Sequence, residues 1–122
     1  MNYQKAAVAP VLMFLFAASH AGEPRYACDF KRPPYNSKVI STPHGLSWQV
    51  YPPIIPAHYT GCRVVWMRGY KLAEVRIKRG KVMSAEIRNP GEEVKQCAYD
   101  GSGALRSGEP GACGTADQWL SL

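Results

Sequence analysis

The chain has 122 residues, of which 46% are hydrophobic and 20% are charged, and its formal net charge is +6. This length fits one small domain, which buries only about 60–65% of the surface that its unfolded chain exposes, so the stability margin is thin. The charge suits an anionic partner or serves solubility alone, and the absence of a long basic run argues against a nucleic-acid-binding tail.

The first 21 residues have the layout of a secretory signal peptide. A basic start with Lys5 is followed by a charge-free apolar run, residues 6–17, and then by Ser19 and Ala21 at the −3 and −1 positions of a cleavage site. The apolar run is shorter than the roughly 20 residues that cross a bilayer as a helix. We therefore predict a periplasmic or secreted protein that begins at Gly22, without a transmembrane segment after cleavage. Fourteen basic and nine acidic residues would then leave a net charge of +5.

All four cysteines follow the predicted cleavage point. An even number in a small exported chain indicates two disulfides, each contributing about 2–4 kcal/mol to stability. Three pairings are possible. We favour Cys97–Cys113, which closes a loop rich in glycine and proline, together with Cys28–Cys62, which ties the N-terminal segment to the body.

Residues 22–58 are predicted to form an irregular segment that packs on the body of the protein. Seven prolines in this stretch each remove a backbone donor and bias the preceding residue toward an extended conformation. One short strand is expected at residues 46–51, because Leu46, Trp48 and Val50 alternate with polar or amphipathic residues.

Residues 59–122 are predicted to form a small antiparallel β-meander held by the disulfides, so the protein is mainly β. Residues 61–67 are rich in β-branched and aromatic residues, which favours a buried strand that includes Trp66. Three similar units follow at residues 71–80, 81–91 and 93–101, and each ends in an apolar pair with strand spacing and a glycine-containing turn. A helix over residues 70–85 is the alternative, which Gly80 and the β-branched content disfavour.

The repeated unit of strand, charged strand end and glycine turn in residues 71–101 resembles the hairpin repeats of MORN-type proteins. It is also similar to repeats in bacterial antitoxin and immunity proteins. The resemblance implies a binding or neutralising protein without catalytic activity.

The sequence contains no catalytic, cofactor or metal motif. His44 and His58 are the only candidate bases after the cleavage point, and both lie in proline-flanked loops without a nucleophile motif nearby. The cysteines lack zinc-site spacing. No cofactor, metal or enzymatic activity is predicted.

A binding surface is the remaining candidate site. Aromatic and basic side chains are common anchors of protein interfaces, and five of them lie within residues 51–71: Tyr51, His58, Tyr59, Arg63 and Lys71. The alternative is that the aromatic residues supply a core that is poor in aliphatic side chains. The leading hypothesis is an exported immunity or inhibitor protein that occludes an enzyme of the cell envelope. The alternatives are a basic accessory protein that contacts anionic envelope lipids or polymers, and a small hydrolase of unrecognised type.

Overall fold

A computed structural model describes residues 24–122, and the predicted signal peptide and its cleavage site lie outside the described residues. One antiparallel sheet contains seven strands in chain order, which confirms the predicted β-meander. The strands are β1 (Lys38–Ser41), β2 (Ser47–Tyr51), β3 (Gly61–Met67), β4 (Tyr70–Lys78), β5 (Lys81–Ile87), β6 (Lys95–Tyr99) and β7 (Leu105–Ser107). A 3-10 helix spans Pro24–Asp29, and two short helices follow the sheet, α1 (Pro110–Cys113) and α2 (Ala116–Leu120).

The central strands agree with the sequence pattern. Strand β3 has the predicted bounds, and the three repeated units form β4, β5 and β6. The helical alternative for residues 70–85 is wrong, because these residues form a hairpin in which Val75 pairs with Ala85 and Ile77 with Val82. Strands β1 and β7 and the three short helices were not predicted. Strand β1 gives little signal, since Ile40 is its only residue that is not exposed.

Two hairpins of the sheet are closed by the same dipeptide. Arg68-Gly69 joins β3 to β4 and Arg79-Gly80 joins β4 to β5, and all four residues have positive φ angles, between 51° and 84°. Two-residue hairpin turns of this kind match the right-handed twist of the strands, and glycine adopts the second position without strain. Because β4 runs between the two turns, the two arginines lie at opposite ends of the sheet.

Each face of the sheet has its own hydrophobic core. The first face carries the larger core, including Val50, Val65 and Val75, and α1 and α2 pack against it through residues such as Trp119. The second face carries a smaller core around Trp66, which is 0% exposed, and the 3-10 helix covers it. The predicted core position of Trp66 is confirmed.

Both predicted disulfides are present. Cys28–Cys62 joins the 3-10 helix to β3, and Cys97–Cys113 joins β6 to α1. Gly108 lies close against the second bond, because a Cβ at this position would come within 2.8 Å of the Cys113 Sγ and of the Gln96 carbonyl oxygen. Any side chain there would displace the connection between β7 and α1.

Candidate functional site

The five residues of the predicted binding surface do not form one surface. His58 is exposed in the loop between β2 and β3, and Tyr51 and Lys71 are partly buried. Tyr59 and Arg63, however, are only 6% and 1% exposed, so the expectation that they contribute to a surface is wrong. Arg63 is buried because β3 is a central strand with both faces covered, one by the 3-10 helix and the other by the C-terminal helices. Tyr59 precedes β3 and belongs to the larger core of the first face.

Arg63 holds the C-terminal segment against the sheet. Its guanidinium donates to the main-chain oxygens of Leu120 at 2.7 Å, Trp119 at 3.2 Å, Pro53 at 3.3 Å and Leu122 at 3.3 Å. Two of these carbonyls belong to the last turn of α2, where a cation is favoured by the helix dipole. Burial lowers the pKa of Arg63 from its usual high value. The residue is therefore a structural clamp and not a surface contact.

Tyr59 is a buried neighbour of this clamp. Its hydroxyl donates to the Cys62 carbonyl oxygen at 2.8 Å. Burial raises the pKa of Tyr59 to about 12, with a further increase from Tyr51 and an opposing effect of Arg63. The folded state therefore retains the Tyr59 proton at pH values where an unfolded tyrosine, with a pKa of about 10, loses it.

The free energy of unfolding should consequently decrease as the pH rises from 10 to 12. In that range the unfolded state binds fewer protons than the folded state, so stability falls with pH. We expect Tyr59 to contribute a loss on the order of 1–2 kcal/mol, allowing for partial solvent screening. Urea denaturation of the wild type and of Tyr59→Phe at pH 8 and pH 11 measures this. The variant should show the smaller decrease, though not none, because burial also raises the pKa of Tyr99. An equal decrease in both proteins would contradict the role given to Tyr59.

Four exposed cations gather at one end of the sheet, and we call this group the basic hairpin end. It consists of Arg76, Lys78, Arg79 and Lys81, on the hairpin of β4 and β5. Among residues 24–122, none of the four side chains forms an ion pair or a hydrogen bond. Lys78 and Lys81 lie directly opposite each other across the two strands, an arrangement of like charges that destabilises a sheet.

The backbone of this turn is fixed from the side. The Gly80 amide donates to the Tyr59 carbonyl oxygen at 2.8 Å, and the Arg79 amide donates to the Thr60 hydroxyl at 2.9 Å. The loop between β2 and β3 thus supports the hairpin, and the cations project from a rigid base.

Toward the opposite end of the same strands, the carboxylates of Glu74 and Glu86 are paired with cations. Lys71 lies 3.1 Å and Arg88 3.7 Å from the Glu74 carboxylate, and Arg88 also pairs with Glu86. Lys95 lies 3.5 Å from both Glu92 and Glu109, and the Glu109 charge is the main cause of the raised pKa of Lys95. The basic hairpin end is therefore a cluster of four cations without acidic partners, in contrast to the paired charges around Glu74 and Glu86.

A recess of about 360 Å³ adjoins the basic hairpin end on the second face of the sheet. Its walls include the Cys28–Cys62 disulfide, the carboxylate-bearing Asp29, Thr60 and Arg76. Asp29 and Arg76 line the same recess without forming an ion pair, and neither has another ionic partner among the described residues. The recess therefore presents both signs of charge.

A second, apolar cleft of about 610 Å³ lies on the first face, between the sheet and the C-terminal helices. Trp48, Leu72, Ile87 and Trp119 contribute to its lining. The buried indole nitrogen of Trp48 has no hydrogen-bond partner in the described part of the chain.

The residues with potential for catalysis are dispersed. His44 and His58 lie in the loops at opposite ends of β2, and both are exposed. All four cysteines are in disulfides. Within residues 24–122, no group of three or more His, Cys, Asp or Glu side chains is arranged to hold a metal ion.

The sequence interpretation overlooked the basic hairpin end, although its signal is visible in the run RIKRGK at residues 76–81. In the sequence alone, alternating cations on a strand beside a cationic turn are typical of ordinary solvent-facing positions. The register explains the difference, because antiparallel pairing brings Lys81 back opposite Lys78 and raises the local charge density.

No protein-family model, no curated protein and no solved structure matches this chain. No helix of residues 24–122 has the length and apolar character needed to cross a membrane. The assignment of a function therefore depends on the geometry and charge of the described residues.

Proposed function

We propose that this protein is an exported, non-enzymatic binding protein that contacts an anionic component of the cell envelope through the basic hairpin end. The observation that carries the proposal is the separation of charge along β4 and β5. Four exposed cations without ionic partners lie at one end of these strands, whereas the carboxylates of Glu74 and Glu86 are paired with cations toward the other.

The unpaired lysines support this proposal on energetic grounds. Lys78 and Lys81 oppose each other directly, which costs stability in the isolated protein. A phosphate or carboxylate of a partner placed between them would remove that repulsion. The turn between them is also fixed by two hydrogen bonds to the preceding loop, so little backbone freedom is lost on binding.

The disulfides agree with a location outside the cytoplasm. Structural disulfides form and persist in oxidising compartments such as the periplasm or the extracellular space. Together with the signal peptide predicted for residues 1–21, they support a protein that meets envelope lipids or polymers after export.

A matched pair of arginine variants tests the proposal. Arg79→Gln removes a cation from the basic hairpin end, and Arg68→Gln removes one from the equivalent Arg-Gly turn at the other end. Each basic residue near an anionic surface contributes about 1 kcal/mol of binding, so Arg79→Gln should weaken binding roughly fivefold. Sedimentation with vesicles containing anionic lipids measures the affinity, and Arg68→Gln should bind as the wild type does.

Salt dependence provides a second readout in the same assay. Exposed charges are screened over about 8 Å at physiological ionic strength, so raising the salt should weaken wild-type binding steeply. The dependence should be shallower for a variant that combines Lys78→Gln, Arg79→Gln and Lys81→Gln. Equal losses from Arg68→Gln and Arg79→Gln, or binding that is insensitive to salt, would contradict a localised electrostatic site.

An immunity or inhibitor protein that occludes an envelope enzyme is the second candidate function. The apolar cleft favours it, because Trp48 and Trp119 lie in its lining and tryptophan is a frequent anchor of protein interfaces. The resemblance of residues 71–101 to antitoxin and immunity repeats points the same way. Inhibition of an envelope enzyme by the triple variant as strong as by the wild type would favour this candidate over an anionic surface.

A further inference from the structure

We propose that the recess beside the basic hairpin end binds a head group that carries both a phosphate and a primary ammonium group. This inference rests on the proposed function, because Arg76 belongs to both the recess and the basic hairpin end. It adds the chemical class of the ligand and a role for Asp29, which net positive charge alone does not explain.

The disulfide brings the two opposite charges to one place. Cys62 on β3 lies directly opposite Arg76 on β4, so both side chains are on the second face of the sheet. Cys28 is bonded to Cys62, and Asp29 follows Cys28 at the end of the 3-10 helix. The covalent bond thus holds the two segments that carry Asp29 and Arg76 beside one recess.

Neither Asp29 nor Arg76 forms an ion pair within the described residues. Elsewhere in the sheet, neighbouring side chains of opposite charge form ion pairs, as Lys71 and Glu74 do at 3.1 Å. Asp29 and Arg76 share a recess of about 360 Å³ and remain unpaired in residues 24–122. Its volume falls at the lower end of the range of about 300–1,000 Å³ that is typical of ligand sites.

The side chains around the recess offer separate partners for the phosphate and for the ammonium group of the ligand. Arg76 offers a planar fork of donors that suits phosphate oxygens, and Lys78, two residues along the same face of β4, adds a second cation. The Thr60 hydroxyl accepts from the Arg79 amide and retains its own proton for donation. Asp29 can accept hydrogen bonds from a primary ammonium.

Asp29 also makes the binding of two related ligands less favourable. A phosphate without an attached cation would face the uncompensated charge of the carboxylate. A trimethylammonium group has no N–H to donate, so it would satisfy Asp29 less well than a primary ammonium. Both a phosphoethanolamine lipid surface and a free phosphoethanolamine-type compound present the chemistry required.

The experiment is an NMR titration of the exported protein with soluble O-phosphoethanolamine, glycerol 3-phosphate and ethanolamine. Phosphoethanolamine should bind about two- to fivefold more tightly than glycerol 3-phosphate, the range expected from one exposed ion pair. The amide shifts should centre on Asp29, Thr60 and Arg76. Asp29→Asn should abolish the preference for phosphoethanolamine, and Arg76→Gln should weaken the binding of both phosphate compounds. Arg68→Gln should change neither the preference nor the affinities.

Equal affinities for phosphoethanolamine and glycerol 3-phosphate in the wild type, or a preference that survives Asp29→Asn, would overturn the proposal. If vesicle binding stays salt-dependent and sensitive to Arg79→Gln in that case, the proposed function stands and only the ligand class fails. If Arg79→Gln binds vesicles as well as Arg68→Gln does, the proposed function fails separately.

Vesicles then identify the source of the head group. At constant anionic lipid content, phosphatidylethanolamine in place of phosphatidylcholine should increase binding if the ligand is a membrane lipid. Binding of the soluble compound without this lipid preference would support the site and assign it to a free or polymer-bound ligand.

Discussion

Replacing Arg63 with methionine should lower the free energy of unfolding by about 3 kcal/mol, because four partly buried backbone oxygens lose a charged donor. Methionine reaches about as far as the arginine Nε and keeps the apolar contacts of the stem, so the loss reports mainly on the guanidinium and its four hydrogen bonds. The carbonyls of Trp119 and Leu120 are the most affected, since they end α2. Urea denaturation followed by tryptophan fluorescence measures the change.

Two further variants distinguish the hydrogen bonds of the Arg63 guanidinium from a general effect of removing positive charge. Arg63→Lys keeps the charge, but its single ammonium reaches fewer carbonyls, so it should lie between the wild type and Arg63→Met in stability. Arg68→Met changes an exposed arginine and should stay within about 0.5 kcal/mol of the wild type. If Arg63→Met proved as stable as Arg68→Met, the guanidinium would not stabilise the C-terminal segment.

The central strands could be predicted because local signals agreed with the fold. Residues 61–67 combine β-branched and aromatic side chains, and six of the seven are buried. The Arg79-Gly80 turn and the apolar alternation on either side of it define a hairpin without tertiary information. For these elements the sequence pattern and the packing require the same residues.

The peripheral elements could not be predicted, because tertiary contacts create them. Strand β7 has three residues and an irregular register with β6, and α1 has four residues in a segment rich in glycine and proline. Strand β7 pairs with β6 at the edge of the sheet, and α1 ends at Cys113, which the disulfide joins to β6. Isolated helices this short are unstable in water, and propensity gives no indication of them.

The position of Arg63 shows why the candidate site was only partly predictable. An arginine is rarely fully buried without a partner, which favoured a surface position. Its alternation with Val65 in a strand with buried neighbours was a signal for the first face. The carbonyl acceptors of Trp119 and Leu120, however, lie 56 and 57 residues away, so only the folded structure shows how the charge is satisfied.

Changing Cys97 and Cys113 together to serine should lower the melting temperature by ten degrees or more. The bond spans 16 residues, and closing a loop of that size stabilises the fold by about 3 kcal/mol in the chain-entropy model. For a small domain each kcal/mol shifts the melting temperature by about 4–8 °C. The effect is large because the loop contains Gly101, Gly103 and Gly108, which lose much backbone freedom on ordering.

The loss should be concentrated in the C-terminal segment. The Cys113 carbonyl accepts from the Tyr99 hydroxyl at 2.7 Å and from the Trp119 indole at 2.9 Å, so release of Cys113 also loosens α2. Tryptic cleavage after Arg106 should therefore accelerate far more than cleavage after Arg79.

The Cys28→Ser, Cys62→Ser variant is the matched control. Its bond spans 34 residues, so it should lose about 0.7 kcal/mol more stability in the same entropy model but leave cleavage after Arg106 slow. Equal acceleration at Arg106 in both variants, or an unchanged melting temperature without Cys97–Cys113, would show that this bond does not hold the C-terminal segment in place.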